Sequence, residues 1–178
     1  MDRDVEYGAA FALALSGESS RSRALAKDLE ARFPEDTAVN VFYLPAIRAL
    51  LELSGGEPSK AIDLLQVSRP YDRGVPPSIA PAFIGPFYTV YVRGLAYLAA
   101  RQGPEAAGEF QKILDGRTIV VSDPIGALAH LQLGRALDMA GDKTKGKAAY
   151  QDFLTLWKDA DPDIPIFKHA QAEFAKLQ

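Results

Sequence analysis

At 178 residues, with 48% hydrophobic and 24% charged side chains, the chain has the composition of a folded domain large enough to bury a sizeable core. Its net charge of -3, from 20 Lys and Arg against 23 Asp and Glu, provides no positive field to gather nucleic acid or an anionic membrane, and neither is expected as a partner. The absence of cysteine excludes disulfides, thiolate metal sites and thiol nucleophiles.

The first element, Asp4 to Ser16, reads as an alanine-rich helix ended by Gly17. The residues before it, Met1-Asp2-Arg3-Asp4, are acidic where a secretory leader would be basic, so Ala9 to Leu15 is read as helix rather than as a leader core. No run approaches the roughly 20 apolar residues of a membrane span, and a cytoplasmic location is expected. Ser19 or Ser20 caps a second helix that runs to Phe33 and stops at Pro34. A third, Ala38 to Ser54, carries Pro45 in its interior, which predicts a kink over Val41 to Pro45 before Gly55-Gly56 closes it. Pro58 opens a fourth helix in its first turn, and that helix ends before Pro70.

From Tyr71 to Pro86 proline and glycine are too dense for regular helix, and the segment reads as an insertion. Phe87 to Gln102 is the most aromatic helix, turned by Gly103-Pro104 into Glu105 to Leu114. Thr118-Ile119-Val120-Val121 is strand-like in composition, and between helical signals it reads as an extended connector. Asp123-Pro124 starts a helix ending at Gly141-Asp142, and Thr144 to Trp157 is its partner. After a break at Asp159 to Pro165, Ile166 to Leu177 places Phe167, Ala170, Phe174 and Leu177 on one face.

One spacing recurs through these elements. Gly94 is followed by Tyr97, Ala106, Phe110 and Ile113, and Gly134 by Leu137, Gly146, Tyr150 and Phe153. Ala49 stands in the same relation to Glu52, Ala61, Leu65 and Ser68, and Ala10 to Leu13, Ser22, Ala26 and Leu29. The pattern resembles the tetratricopeptide repeat, in which a small residue lets two antiparallel helices approach while large residues fill the space around it. The four anchors lie 39, 45 and 40 residues apart, against a period of about 34 in that family, and the longest gap holds the proline-rich insertion. Glu52 and Ser68 depart from the pattern, which makes the second unit the one expected to deviate.

The resemblance implies an all-α, right-handed superhelix of four helix-turn-helix units, about 4–34, 37–69, 86–115 and 123–158, with an insertion over 70–85 and a capping helix over 164–178. The stretch Ala149 to Pro162 is also similar in tone to repeat regions of large bacterial signalling proteins that carry kinase or DNA-binding domains. In such repeats the first helices line a concave face. Carried over by position, that face holds Tyr7, Phe11 and Ala14, then Ala46, Leu50 and Leu53 with Tyr43 a turn earlier. It continues with Tyr88, Tyr91, Leu95 and Leu98, and ends with Leu131, Arg135 and Asp138. An apolar, aromatic groove of this kind implies a peptide or protein ligand with apolar or aromatic side chains, or self-association. The opposite reading keeps these residues as core, with the Tyr71 to Pro86 segment as a plug.

Arg48 and Arg93 each fall one residue before an anchor, where the family places an apolar side chain. Two guanidinium groups there fit either a clamp for an acidic ligand or side chains satisfied by carboxylates such as Glu52 and by helix-end carbonyls. Catalysis is not expected. His130 and His169 fall on different helices without ligand spacing, Asp159 to Asp163 lacks the glycine and distal glutamate of a calcium loop, and no phosphate loop is present. His130 reads as a hydrogen-bonded structural residue, and no cofactor or metal is expected.

Overall fold

Four helical hairpins, each closed by the same hydrogen-bonded turn, make up most of the chain. The computed structural model describes residues 2–74, 87–120 and 123–177, and no strand occurs among them. The hairpins are α1 (Arg3–Leu15) with α2 (Ser19–Arg32), α3 (Leu44–Ser54) with α4 (Pro58–Leu64), α5 (Tyr88–Ala99) with α6 (Gly103–Asp115), and α8 (Pro124–Met139) with α9 (Lys143–Leu156). A single turn, α7 (Arg117–Val120), links the third hairpin toward the fourth, and α10 (Pro165–Ala175) packs on α9. Each hairpin's first helix contacts the next one's, α1 on α3, α3 on α5 and α5 on α8, while α2, α4 and α6 contact the first helix that follows them.

The turns repeat at the level of single bonds. Seven residues after each anchor the backbone is left-handed, at Gly17, Gly56, Arg101 and Gly141, with φ of 84°, 78°, 62° and 86°. The next amide closes a six-residue ring onto the carbonyl three residues after the anchor: Glu18 to Leu13, Glu57 to Glu52, Gln102 to Tyr97 and Asp142 to Leu137, each at 2.9 Å. These bonds satisfy carbonyls that a helix end leaves unpaired. The anchors themselves sit at close helix contacts. A Cβ on Gly94 would fall 2.6 Å from the Phe110 ring and one on Gly134 2.7 Å from that of Tyr150, while Ser22 donates to the Ala10 carbonyl at 2.8 Å.

Three elements differ from the sequence expectation, each for a local reason. The third helix runs unbroken through residues 37–54 but is not regular α-helix throughout. Over Val39–Tyr43 it is a π turn, in which the Leu44 amide reaches back to the Val39 carbonyl, because Pro45 has no N–H to give to Val41. Of the stretch Thr118 to Val121 expected as an extended connector, residues 118–120 belong to the helical turn Arg117–Val120 and residue 121 lies outside the described residues; Val120 packs on Gly126 so closely that a Cβ there would fall 2.7 Å from it. Neither Ser19 nor Ser20 caps α2, whose N-cap is Glu18 without a side-chain bond. By contrast Asp123 caps α8 as expected, accepting from the Ile125 amide at 3.1 Å. Beyond α4, residues Gln66–Tyr71 form a 3-10 helix containing Pro70. The rest of the expected insertion, from residue 75, lies outside the described residues.

The core is continuous in practice. One cluster joins α1 to α4 with Val92 and Ala96 of α5, a second joins α5, α6 and α8, and a third holds Leu131, Tyr150, Phe153, Phe167 and Ala170. Ile62 and Tyr88 bridge the first two clusters, and Leu128 bridges the last two. The one-sided pattern of the final helix places Phe167 and Ala170 in that third cluster, with Phe174 and Leu177 against it.

Candidate functional site

The face formed by the first helices carries a file of aromatic and polar side chains from α1 to α10. Tyr43 donates to Asp4 at 3.0 Å, and its ring stacks on Tyr7 at 4.0 Å between centroids. Phe11 meets the Tyr88 ring edge-on at 5.2 Å, and the Tyr88 hydroxyl donates to Asp123 at 3.1 Å. Further along, Gln132 donates to the Tyr91 hydroxyl at 3.4 Å and accepts from Arg135 at 3.3 Å. Arg135 grips Glu173 of α10 through two 2.8 Å bonds, and Tyr150 donates to the same carboxylate at 2.9 Å.

Burial and these bonds set the titration of the file. Desolvation, with neighbouring carboxylates, pushes the phenols of Tyr43, Tyr88 and Tyr150 well above their ordinary range. Desolvation also raises Asp123, against the opposing bonds from Ile125 and Tyr88. At Glu173 burial pushes upward, but the bonds from Arg135 and Tyr150 outweigh it and hold the carboxyl below 4.5.

The groove anticipated from the sequence is therefore largely filled by the chain's own side chains. Tyr7, Phe11, Tyr43, Leu50, Tyr91 and Leu131 are all buried: Tyr7 lies against Tyr43, Phe11 against Tyr88, and Tyr91 edge-on against Phe110 of α6 at 5.8 Å. Tyr88, Leu95, Arg135 and Asp138 keep partial exposure. Of the expected plug, the described part places Tyr71 against Phe42 at 6.2 Å, and the remainder lies outside the described residues.

Arg48 and Arg93 do not assemble a clamp. Arg93 is fully buried and donates through Nη2 to both oxygens of Asp72 at 2.7 Å and to Glu109 at 2.8 Å, with Nη1 on the Leu65 carbonyl at 3.3 Å and on Ser68 at 3.4 Å. Lys112 binds the same two carboxylates at 3.1 and 3.0 Å. Burial works against the Arg93 charge, but Glu109 and Asp72 outweigh it and raise its affinity for the proton. Arg48 turns away to Glu30 of α2 at 2.6 Å. Glu52 takes no part in either pair. The Glu109 partnership was legible in outline: Arg93 and Glu109 directly precede Gly94 and Phe110, which pack together, so both fall on the same side of that contact. The equivalent of Glu109 in the second hairpin is Leu64, which leaves Arg48 to find Glu30.

What remains open is the last third of the face. A cavity of about 630 Å³ is bounded there by Leu98, Arg101, Arg135, Met139, Glu173 and Leu177, with Asp138, Tyr150 and Lys176 completing its wall. Arg135 is spent on Glu173, but Arg101 and Lys176 have no ion-pair partner among the described residues. Sequence reasoning included Leu98, Arg135 and Asp138 but missed Arg101, Glu173 and Lys176. Arg101 was findable as the non-glycine at a position that is glycine in the other three hairpins.

A second cavity, about 590 Å³, lies between α7, α8 and the end of α9, with Arg117, His130, Leu156 and Trp157 in its wall. His130 is partly buried rather than hydrogen-bonded. Its Nδ1 stands 3.5 Å from Asp152 without a bond, and desolvation keeps the ring below its usual pKa and so neutral at pH 7. Among the described residues no group of three or more His, Asp or Glu could hold a metal ion. The Asp159 to Asp163 stretch is a turn in which Asp161 accepts from the Asp163 amide at 2.9 Å. No protein-family model, curated protein or solved structure matches the chain.

Proposed function

We propose that the chain is a tetratricopeptide-like interaction module that binds a short protein segment in the cavity between α5, α8 and α10, without catalysing a reaction. The observation that carries this reading is Arg101. It occupies a left-handed backbone position that glycine fills in the three sister turns, and that conformation is unfavourable for any residue with a Cβ. Its side chain stands at the cavity wall with no ion pair among the described residues, as does Lys176. Strain kept beside an open cavity is a reason to look for a ligand there.

The fourfold return of the turn hydrogen bonds at fixed distances from Ala10, Ala49, Gly94 and Gly134 supports the repeat reading. Two cations without an ion-pair partner among the described residues, beside Leu98, Met139 and Leu177, favour a segment that presents an apolar side chain flanked by carboxylates. Panning a random-peptide display library tests this, using the whole chain and its Arg101→Glu, Lys176→Glu variant as baits. Enrichment of acidic, apolar peptides by the unmodified chain and their loss with the variant is the expected result. No enrichment, or equal recovery on both baits, contradicts it.

A further inference from the structure

We propose that the cavity between α7, α8 and the end of α9 is a second binding site, for a small carboxylic acid with an aromatic body: the ring lies against Trp157 and Leu156, and the carboxylate pairs with Arg117. At about 590 Å³ the cavity has the size of a small-ligand site. Ile113, Leu114, Pro124, Leu156 and Trp157 make its wall mainly apolar. Trp157 is itself seated, its ring 5.0 Å from that of the buried Phe153, and it is only partly covered. Leu156, a large apolar side chain, is 60% exposed beside it. These two side chains offer a flat ligand ring the apolar contact that the fold leaves unused. The inference does not depend on the peptide cavity, which lies on α5, α8 and α10.

Charge decides the other half of the ligand. Arg117 stands in the wall without an ion-pair partner among the described residues, whereas the more buried Arg93 and Arg135 are both paired. The one acid in the same wall is Asp123, whose Oδ1 accepts from the Ile125 amide and the Tyr88 hydroxyl, each at 3.1 Å, and which makes no pair with Arg117. A guanidinium in this setting is complemented by an anion, and its fork matches the two oxygens of a carboxylate. A single cation suits a singly charged carboxylate better than a phosphate, and it repels a ligand ammonium.

His130, in the same wall, couples the site to protons. A buried polar atom without a partner needs a cause, and His130 Nδ1 is one, 3.5 Å from Asp152 and not bonded to it. Desolvation and the nearby Arg117 hold the ring neutral, while Asp152 of α9 acts the other way. The remaining charged groups around the ring are Asp123 on α8 and, across an adjoining cleft of about 370 Å³, Asp115 of α6 and Lys145 of α9. A carboxylate on Arg117 cancels its repulsion of the imidazolium, so His130 takes a proton from solvent and Nδ1 gains an N–H to donate to Asp152. Because the bound acid raises the affinity of His130 for its proton, it binds more tightly as pH falls from 8 to 6, where its own carboxyl stays ionised.

Three probes of one shape test this in the whole chain: 4-phenylbutyrate, 4-phenylbutanol and 4-phenylbutylamine. Trp157, the only tryptophan, reports binding by its emission, and His130, one of two histidines, by its ring-proton resonance. The acid should change Trp157 emission saturably, with half-saturation in roughly the millimolar range expected for so small a ligand. The alcohol should bind about tenfold more weakly and the amine without saturation. Arg117→Gln, at an exposed position, should reduce binding of the acid to that of the alcohol and leave the alcohol unchanged. The acid should also raise the His130 pKa and leave that of His169 in place. No saturable change, equal binding of the acid and the amine, or undiminished binding of the acid by the Arg117→Gln protein would overturn the proposal.

Discussion

Gly94 lies so close to Phe110 that a Cβ added to it would fall 2.6 Å from two carbons of the ring, and Gly134 stands in the same relation to Tyr150. Alanine normally strengthens a helix relative to glycine by about 1 kcal/mol, but overpacking a buried contact costs about 1–3 kcal/mol. Phe110 is fully buried and has no room to retreat. Gly94→Ala should therefore destabilise the chain by about 1–2 kcal/mol in urea unfolding, and Gly94→Leu should prevent folding. Gly108→Ala, on an open helix face, should instead stabilise by about 1 kcal/mol.

Arg93 is the electrostatic tie between the second and third hairpins. Its removal leaves Asp72 and Glu109 close together, with the partly exposed Lys112 near both and Arg69 3.9 Å from Glu109 as the remaining cations. Breaking one partner out of a buried pair costs about 3–5 kcal/mol, so Arg93→Met should lower stability by that order, measured by chemical denaturation. Arg48→Met removes a partly exposed pair with Glu30 and should change stability by less than about 1 kcal/mol.

Glu173 links α10 to α8 and α9, and its titration gives that link a pH dependence. Its folded pKa lies below the unfolded value of 4.5, so its contribution is present above 4.5 and is lost as pH falls through the lower folded value. Amide exchange in α10 should accelerate in that acidic window ahead of exchange in α5. Glu173→Gln should abolish the step and leave α10 loosened at neutral pH as well.

Arg101→Gly should separate stability from binding. It relieves a left-handed residue and should raise stability by about 1 kcal/mol in urea unfolding, while weakening capture of the acidic peptides selected by the unmodified chain. A variant that loses stability would mean that the Arg101 side chain holds the turn together.

Much of the fold was written in local signals. The small anchors and the large residues sixteen and nineteen positions later marked the hairpins because close helix contacts demand those sizes, as Gly94 with Phe110 and Gly134 with Tyr150 illustrate. Pro45 predicted a distortion, though not that it would be absorbed as a π turn. Thr118 to Val120 was misread because so short a β-branched run carries no periodicity, and the close packing of Val120 on Gly126 is not visible in the sequence. The site was less legible. Sequence register located the first-helix face but not that Tyr43 would stack on Tyr7 or Phe11 meet Tyr88, since those contacts depend on the spacing between hairpins. Glu173 and Lys176 were hidden because they come from a helix outside the repeat.

Two probes already in the chain test the central claim most directly. Met139 is one of two methionines and lines the cavity between α5, α8 and α10, whereas Trp157, the chain's one tryptophan, lines the other cavity. The protein carrying methyl-labelled methionine should be titrated with the acidic, apolar peptide selected by panning, following the Met139 resonance and the Trp157 emission together. Saturable movement of the Met139 signal with unchanged Trp157 emission is the predicted result. A shift in Trp157 emission with a stationary Met139 signal would contradict the assignment and move the binding site to the cavity beside His130.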